Sequence, residues 1–144
     1  MSRSRFTLFH TLRVRWAEVD RQGIVFNAHY LTYFDVAITE YWRAIGYPYP
    51  QALLAIGADT FVVKATVEYH APARYDDVLE IEVSVEELRE KVIKLGFRVT
   101  NKNSEDLLAL GHLVIVAADK QIGKAAKIPL DMFDKLRPFA KQIL

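Results

Sequence analysis

The chain has no cysteine, which removes disulfides, thiolate nucleophiles and cysteine-ligated metals together. Serine is scarce and badly placed for catalysis. Ser2 and Ser4 lie near the first residue, Ser84 in a strand-like run and Ser104 in a turn-like one. None occupies a Gly-x-Ser-x-Gly elbow, so a serine-hydrolase mechanism lacks its nucleophile. An excess of one charge is also missing. Lys and Arg number 19 against 18 Asp and Glu, a formal net charge of +1, whereas phosphate-backbone binding needs a concentrated basic surplus. Nucleic acid is therefore not expected as a partner. His10, His70 and His112 show no paired spacing, and no metal site or cofactor is expected from them. No apolar run approaches the length of a bilayer span. Met1 to Arg5 is basic, but Phe6 to Phe9 is too short and interrupted for a signal-peptide core. A cytoplasmic protein without membrane contact is the simplest expectation.

What the chain does contain is an ordinary globular composition. With 144 residues, 51% hydrophobic and 26% charged, it is long enough to form one domain, 1–144, with its own core. From Phe6 to Trp16 apolar and polar residues alternate, which predicts a first strand. Leu31, Phe34, Ile38, Tyr41, Trp42 and Ile45 then recur at steps of three and four, one face of a helix. That helix is expected from about Ala28 to Ile45, with Asn27 as N-cap, Gly46 as the stop, and Pro48 and Pro50 preventing continuation. Four strands follow, over 61–70, 79–86, 92–100 and 107–118, the last two joined by a turn at Asn101 to Ser104. The strand over 107–118 is apolar on both faces, which predicts a mid-sheet place or a subunit contact. Asp131 to Lys141 reads as a closing helix. The order predicts an α+β domain: a curved antiparallel sheet of about five strands wrapped around one long central helix, the hot-dog architecture.

One segment carries chemistry. Asp20-Arg21-Gln22-Gly23 puts a carboxylate in a tight turn a few residues before the long helix. A helix N-terminus presents unpaired backbone N–H groups and the positive end of the helix dipole. A fixed anion facing amide donors is a workable hydrolytic site, the first to attack and the second to hold an oxyanion. The bland alternative is that Asp-x-x-Gly is common turn chemistry.

The stretch Trp16 to Gly46, with Asp20, Gly23, Asn27, Tyr30 and Tyr33-Phe34, resembles the signature of the 4-hydroxybenzoyl-CoA thioesterase family of hot-dog acyl-CoA thioesterases. A second match is Val67-Glu68-Tyr69-His70-Ala71-Pro72-Ala73-Arg74-Tyr75-Asp76-Asp77. The resemblance implies hydrolysis of an acyl-CoA without metal or cofactor. It implies Asp20 as nucleophile or general base, and Asn27 at the helix opening, its backbone N–H polarising the thioester carbonyl. Several relatives carry Tyr or His where Asn27 stands. Substrate contacts are expected at Gly23, Val25, Phe26, Ala28, Tyr30 and Phe61. CoA contacts are expected at Arg89 and Lys91, which match a basic cluster of the family, and at Arg74 and Lys94. The resemblance also implies a homo-oligomer, a dimer at minimum and, as in many family members, a tetramer. Two other functions fit the same fold: a hydratase or dehydratase, for which His29 near Asp20 is the candidate pair, and an acyl-CoA-binding domain without turnover.

Overall fold

The computed structural model describes residues 7–119, 121 and 123–144. Ser2, Ser4, the basic stretch over 1–5 and Phe6, where the first strand was expected to begin, lie outside that range. The elements run β1 (Thr7–Arg13), a 3-10 turn (Trp16–Glu18), α1 (His29–Ile45), α2 (Gln51–Leu54), β2 (Ala58–Tyr69), β3 (Val78–Leu88), β4 (Val92–Asn101), β5 (Leu107–Asp119), β6 (Lys124–Ala125), α3 (Leu130–Leu136) and β7 (Ala140–Ile143).

The five long strands form one antiparallel sheet in the order β1-β3-β4-β5-β2. Short β6 joins β5, and β7 runs parallel to the end of β3. Period-two alternation decides which side of the sheet each residue faces. On β3, Leu79, Ile81, Val83 and Val85 are buried while Glu80 and Glu82 between them are half-buried. The inner face closes on α1, whose buried stripe is Tyr30, Tyr33, Phe34, Ala37, Ile38, Tyr41 and Trp42. This is the hot-dog arrangement expected from the sequence, and β5 lies within the sheet, between β4 and β2.

One close helix–sheet contact depends on a glycine. A Cβ at Gly111 would stand 2.5 Å from the Phe34 ring and 2.7 Å from the carbonyl oxygen of Thr66. Its absence lets Phe34 lie against β5 and stack on Phe97, with ring centroids 4.3 Å apart. Seating Phe34 there turns α1 so that Tyr30 and Tyr33 are buried. Leu31, expected on the buried face, is exposed and Ile45 only half-buried.

Three further expectations are corrected. The first strand ends at Arg13 rather than Trp16, because Glu18 accepts from the backbone and guanidinium of Arg15 and curls the chain into the 3-10 turn. Asn27 is not the N-cap. That position is Ala28, in helical conformation and without a side-chain capping bond. The expected closing helix stops at Leu136. Pro138 has no N–H for a helical bond, so the chain tightens into a 3-10 turn over Arg137–Phe139 and then pairs with β3. Gly46 ends α1 in the left-handed conformation, as expected.

Candidate active site

The loop between β1 and α1 is a small hairpin. Val19 and Val25 pair, Ile24 pairs with Arg74, and the Phe26 N–H donates to the Glu18 carbonyl at 3.0 Å. Its tip is the Asp20 turn. The Gly23 N–H donates to the Asp20 carbonyl at 2.9 Å, and the Asp20 N–H to the Ile24 carbonyl at 2.9 Å. Asp20 Oδ1 accepts the Gln22 N–H at 2.8 Å, an Asx turn that orients the carboxylate from its own backbone. Gly23 has φ +77, which explains a glycine here.

Beneath the hairpin lies a carboxylate that is almost fully buried. Glu18 Oε1 accepts from the Arg15 N–H at 2.8 Å and from the Tyr33 hydroxyl at 3.0 Å. Its Oε2 accepts from Arg15 Nε and Nη2 at 3.1 and 3.0 Å. Burial pushes this carboxyl up, but the Arg15 and Tyr33 donors outweigh it and hold Glu18 below the usual value. Burial, together with the Glu18 charge, raises the Tyr33 hydroxyl well above its ordinary range. The pair ties the hairpin to the first turns of α1.

At the helix entrance the first N–H groups are already engaged. His29, Tyr30 and Leu31 donate to the carbonyls of Phe26, Asn27 and Ala28 at 3.0, 3.4 and 3.3 Å. For the N–H groups of Asn27 and Ala28 no partner is recorded among the described residues. The Tyr69 hydroxyl, at the end of β2, donates to the Asn27 carbonyl at 2.9 Å. Its ring meets Tyr30 edge to face, with centroids 5.3 Å apart.

These parts enclose a cleft of about 370 Å³. Of the residues expected at a site, Asp20, Val25, Asn27 and Tyr30 line it together. Gly23, Phe26 and Ala28 are neighbours in the chain but not on its wall. Phe61 is on β2, eight residues before Tyr69 and roughly 26 Å away along the strand. The expected CoA contacts are scattered. Arg74 adjoins the hairpin through its pairing with Ile24. Arg89 lies past the end of β3, ion-paired with Glu87 at 3.2 Å, with Lys91 in the following turn. Lys94 shares a small hollow with Lys64 and His112 instead.

The wall also holds residues that sequence reasoning did not place there: Gln22, Ile24, Tyr69, His70, Ala71 and Pro72. His70 reads as a strand-face residue from spacing alone. The available signal was contiguity, since Tyr69 to Pro72 falls within the second family-like segment. His29, by contrast, packs edge to face on Phe26 and is not on the wall. A larger hollow of about 540 Å³ lies elsewhere, beside α3 and walled by Ile128, Leu130 and Phe133.

The hot-dog fold, with the Asp20 turn and the helix entrance sharing one cleft, agrees with the relatives of the chain, which are thioesterases. The chain belongs to the thioesterase-like superfamily, whose family model matches residues 14–136. It is 34% identical over 124 residues to the acyl-CoA thioester hydrolase YbgC of Escherichia coli, spanning 85% of this chain and 91% of that protein. A hypothetical protein from Thermus thermophilus superposes with a TM-score of 0.82 at 28% identity, covering 91% of this chain and 98% of the other. A 1,4-dihydroxy-2-naphthoyl-CoA thioesterase from Synechocystis superposes with a TM-score of 0.85 at 19% identity, covering 91% and 96%. At that identity the likeness concerns the fold.

Proposed function

We propose that the protein hydrolyses an acyl-CoA thioester to the free acid and CoA. The observation that carries the proposal is the shared cleft of Asp20 and the helix entrance at Asn27. The similarity to YbgC of E. coli supports the choice of acyl-CoA. In this reading the Asp20 carboxylate either attacks the thioester carbonyl, giving a mixed anhydride that water then cleaves, or takes a proton from the attacking water. The helix entrance at Asn27 and Ala28, whose N–H groups have no partner among the described residues, stabilises the oxygen on which charge develops. Water supplies the hydroxyl of the acid, and the departing thiolate takes up the remaining proton. A thiolate leaves readily, so the site has no need of a strong general acid. This chemistry requires no metal or cofactor.

The site is completed by a second copy of the chain. β2 is a long edge strand, bonded among the described residues on one side only, to β5, and Phe61, Val62 and Val63 on it are exposed. Unpaired edges of this kind favour strand addition. Antiparallel pairing of two β2 strands centred near residue 65 sets Phe61 of the partner subunit beside Tyr69. That placement accounts for Phe61 as a substrate contact across a dimer.

A thiol-release assay across aromatic, short, medium and long acyl-CoA substrates tests the function. Release above the uncatalysed rate with at least one class is expected, and none with any class would reject the hydrolase. One observation favours a second reading: His70 shares the cleft with Asp20, and a hydratase needs such a pair. Hydration of crotonyl-CoA without thiol release would select it.

A further inference from the structure

Two large aromatic side chains stand exposed on the segments next in the chain to those that line the cleft. Trp16 is 72% exposed and Tyr75 51% exposed, yet their rings meet edge to face with centroids 5.0 Å apart. Exposed aromatic patches of this kind mark interaction sites more often than an isolated apolar side chain does. Their positions are set by the elements that build the cleft. Trp16 opens the 3-10 turn that leads into Asp20. Tyr75 follows Pro72, a wall residue, by three positions, a Cα separation of at most about 10 Å. The two segments are stitched together, since Val14 exchanges hydrogen bonds with Asp76 and Asp77 at 3.1 and 2.9 Å.

The charges around the pair favour an anion. The nearby carboxylates are engaged: Asp76 with Arg13 at 3.2 Å, Asp77 with the Arg74 N–H at 2.8 Å, and Glu18 in its buried network. Arg21 and Arg74 have no ion pair recorded among the described residues. Arg89, in contrast, spends its guanidinium on Glu87.

We infer that the Trp16–Tyr75 pair, with Arg74 and Arg21 beside it, is the platform for the nucleotide end of CoA. The inference rests on the thioesterase reading and moves the CoA handle away from Arg89, Lys91 and Lys94. A thioester lying in the cleft leaves the adenine and its phosphates outside, at the end of the pantetheine arm. The segments that flank the cleft offer that end the exposed Trp16–Tyr75 pair, with Arg21 and Arg74 exposed in the same two segments. Bases stack on aromatic side chains whatever their sequence, and Arg suits phosphate better than Lys because of its planar fork of donors.

Two measurements decide the matter. The first uses turnover of the same acyl group on CoA and on N-acetylcysteamine, which has no nucleotide. Replacing Trp16→Ala and Arg74→Ala together raises KM for the CoA ester by roughly tenfold or more, what the loss of one base–aromatic stack gives. Turnover of the short thioester stays at the wild-type level, which also shows that the variant is folded. An unchanged KM for the CoA ester overturns the inference, as does a rise reproduced only by Arg89→Ala with Lys91→Ala.

The second measurement needs no turnover. The chain has 2 tryptophans, and Trp42 is only 5% exposed, so iodide quenches mainly Trp16. Adenosine 3′,5′-bisphosphate is expected to protect that emission, and protection should be lost in Arg74→Ala. Quenching that the nucleotide does not alter rejects the platform. So does a Trp16 already shielded without ligand, since a second copy of the chain would then cover it. If neither thioester is cleaved, the hydrolase reading falls and the quenching titration alone judges this one.

Discussion

The hydroxyl of Tyr69 donates to the carbonyl of Asn27 at 2.9 Å, joining the last residue of β2 to the entrance of α1. That carbonyl also accepts the Tyr30 N–H at 3.4 Å. One bond therefore ties the backbone at the helix entrance to the end of the strand that lines the same cleft. Tyr69→Phe keeps the ring against Tyr30 and deletes only this link. A neutral hydrogen bond contributes about 1 kcal/mol, so kcat should fall by roughly threefold to tenfold with KM nearly constant. Steady-state kinetics with an acyl-CoA ester provide the check, and an unchanged kcat would leave the bond without a functional role.

Asp20→Asn preserves size and keeps an oxygen to accept the Gln22 N–H, so the turn survives. The negative charge is lost. With Asp20 as nucleophile or base, kcat drops by roughly 10²–10⁴-fold, the range for removing general acid–base catalysis. KM and circular dichroism stay close to wild type. A variant that retains most of its rate, in the correct oligomer, would reduce Asp20 to a turn former.

Gly111→Ala places a methyl group 2.5 Å from the Phe34 ring and 2.7 Å from the Thr66 carbonyl oxygen. The backbone oxygen cannot step aside as a side chain can. Overpacking of this kind costs about 1–3 kcal/mol, visible as a lower Tm in calorimetry. Because Phe34 is one turn past Tyr30, thioester turnover should fall along with stability.

Glu18 makes stability depend on pH in one direction. Its carboxyl is held below the ordinary value of 4.5, so the folded state favours the ionised form. The resulting stabilisation is fully present above that ordinary value and disappears as pH falls through the lowered one. Glu18→Gln at neutral pH should cost about 1–3 kcal/mol, because it weakens the buried bonds to Arg15 and Tyr33. Urea unfolding at neutral pH and near pH 3 measures both states. The gap between wild type and variant should narrow in acid, and a gap of constant size would show that folding does not lower the Glu18 carboxyl.

The β2 edge predicts assembly. Light scattering at micromolar concentration should give the mass of a dimer or a tetramer and no monomer. Val62→Lys with Val63→Lys places charge on the exposed stretch of the edge, a known way to block edge pairing. The variant should become monomeric and lose activity in the same step if the site spans the proposed dimer. An active monomer would confine the site to one chain.

Much of this was legible along the chain because it depends on neighbours in sequence. Period-two runs place β2 to β5, and steps of three and four give α1 from about residue 28 to Ile45. The Asp20 turn is closed by bonds to Gln22, Gly23 and Ile24, all within four residues, so its sequence declares it. The pattern failed where a distant contact set the outcome. Leu31 satisfies the helical period as well as Tyr33 does, yet the Gly111 opening for Phe34 buries Tyr33. The segment after Leu136 looks helical until Pro138 withholds its N–H and β3 offers an edge.

The functional surface divides along the same line. Sequence alone determined that a carboxylate stands in a turn ahead of a long helix, since both features are written in residues 20–46 and need only local hydrogen bonds. Tertiary structure decided what shares the space with it. Tyr69 and His70 reach the cleft because β2 pairs with β5 and curls over the start of α1. Trp16 meets Tyr75 because the chain before the Asp20 hairpin is bonded to the loop after Pro72. Within one chain Arg89, Lys91 and Lys94 lie off the cleft wall, because the sheet carries them away from the helix entrance. Periodicity specifies which face a residue turns to, but proximity between strands far apart in sequence is set by register and sheet order, which only the packed chain establishes.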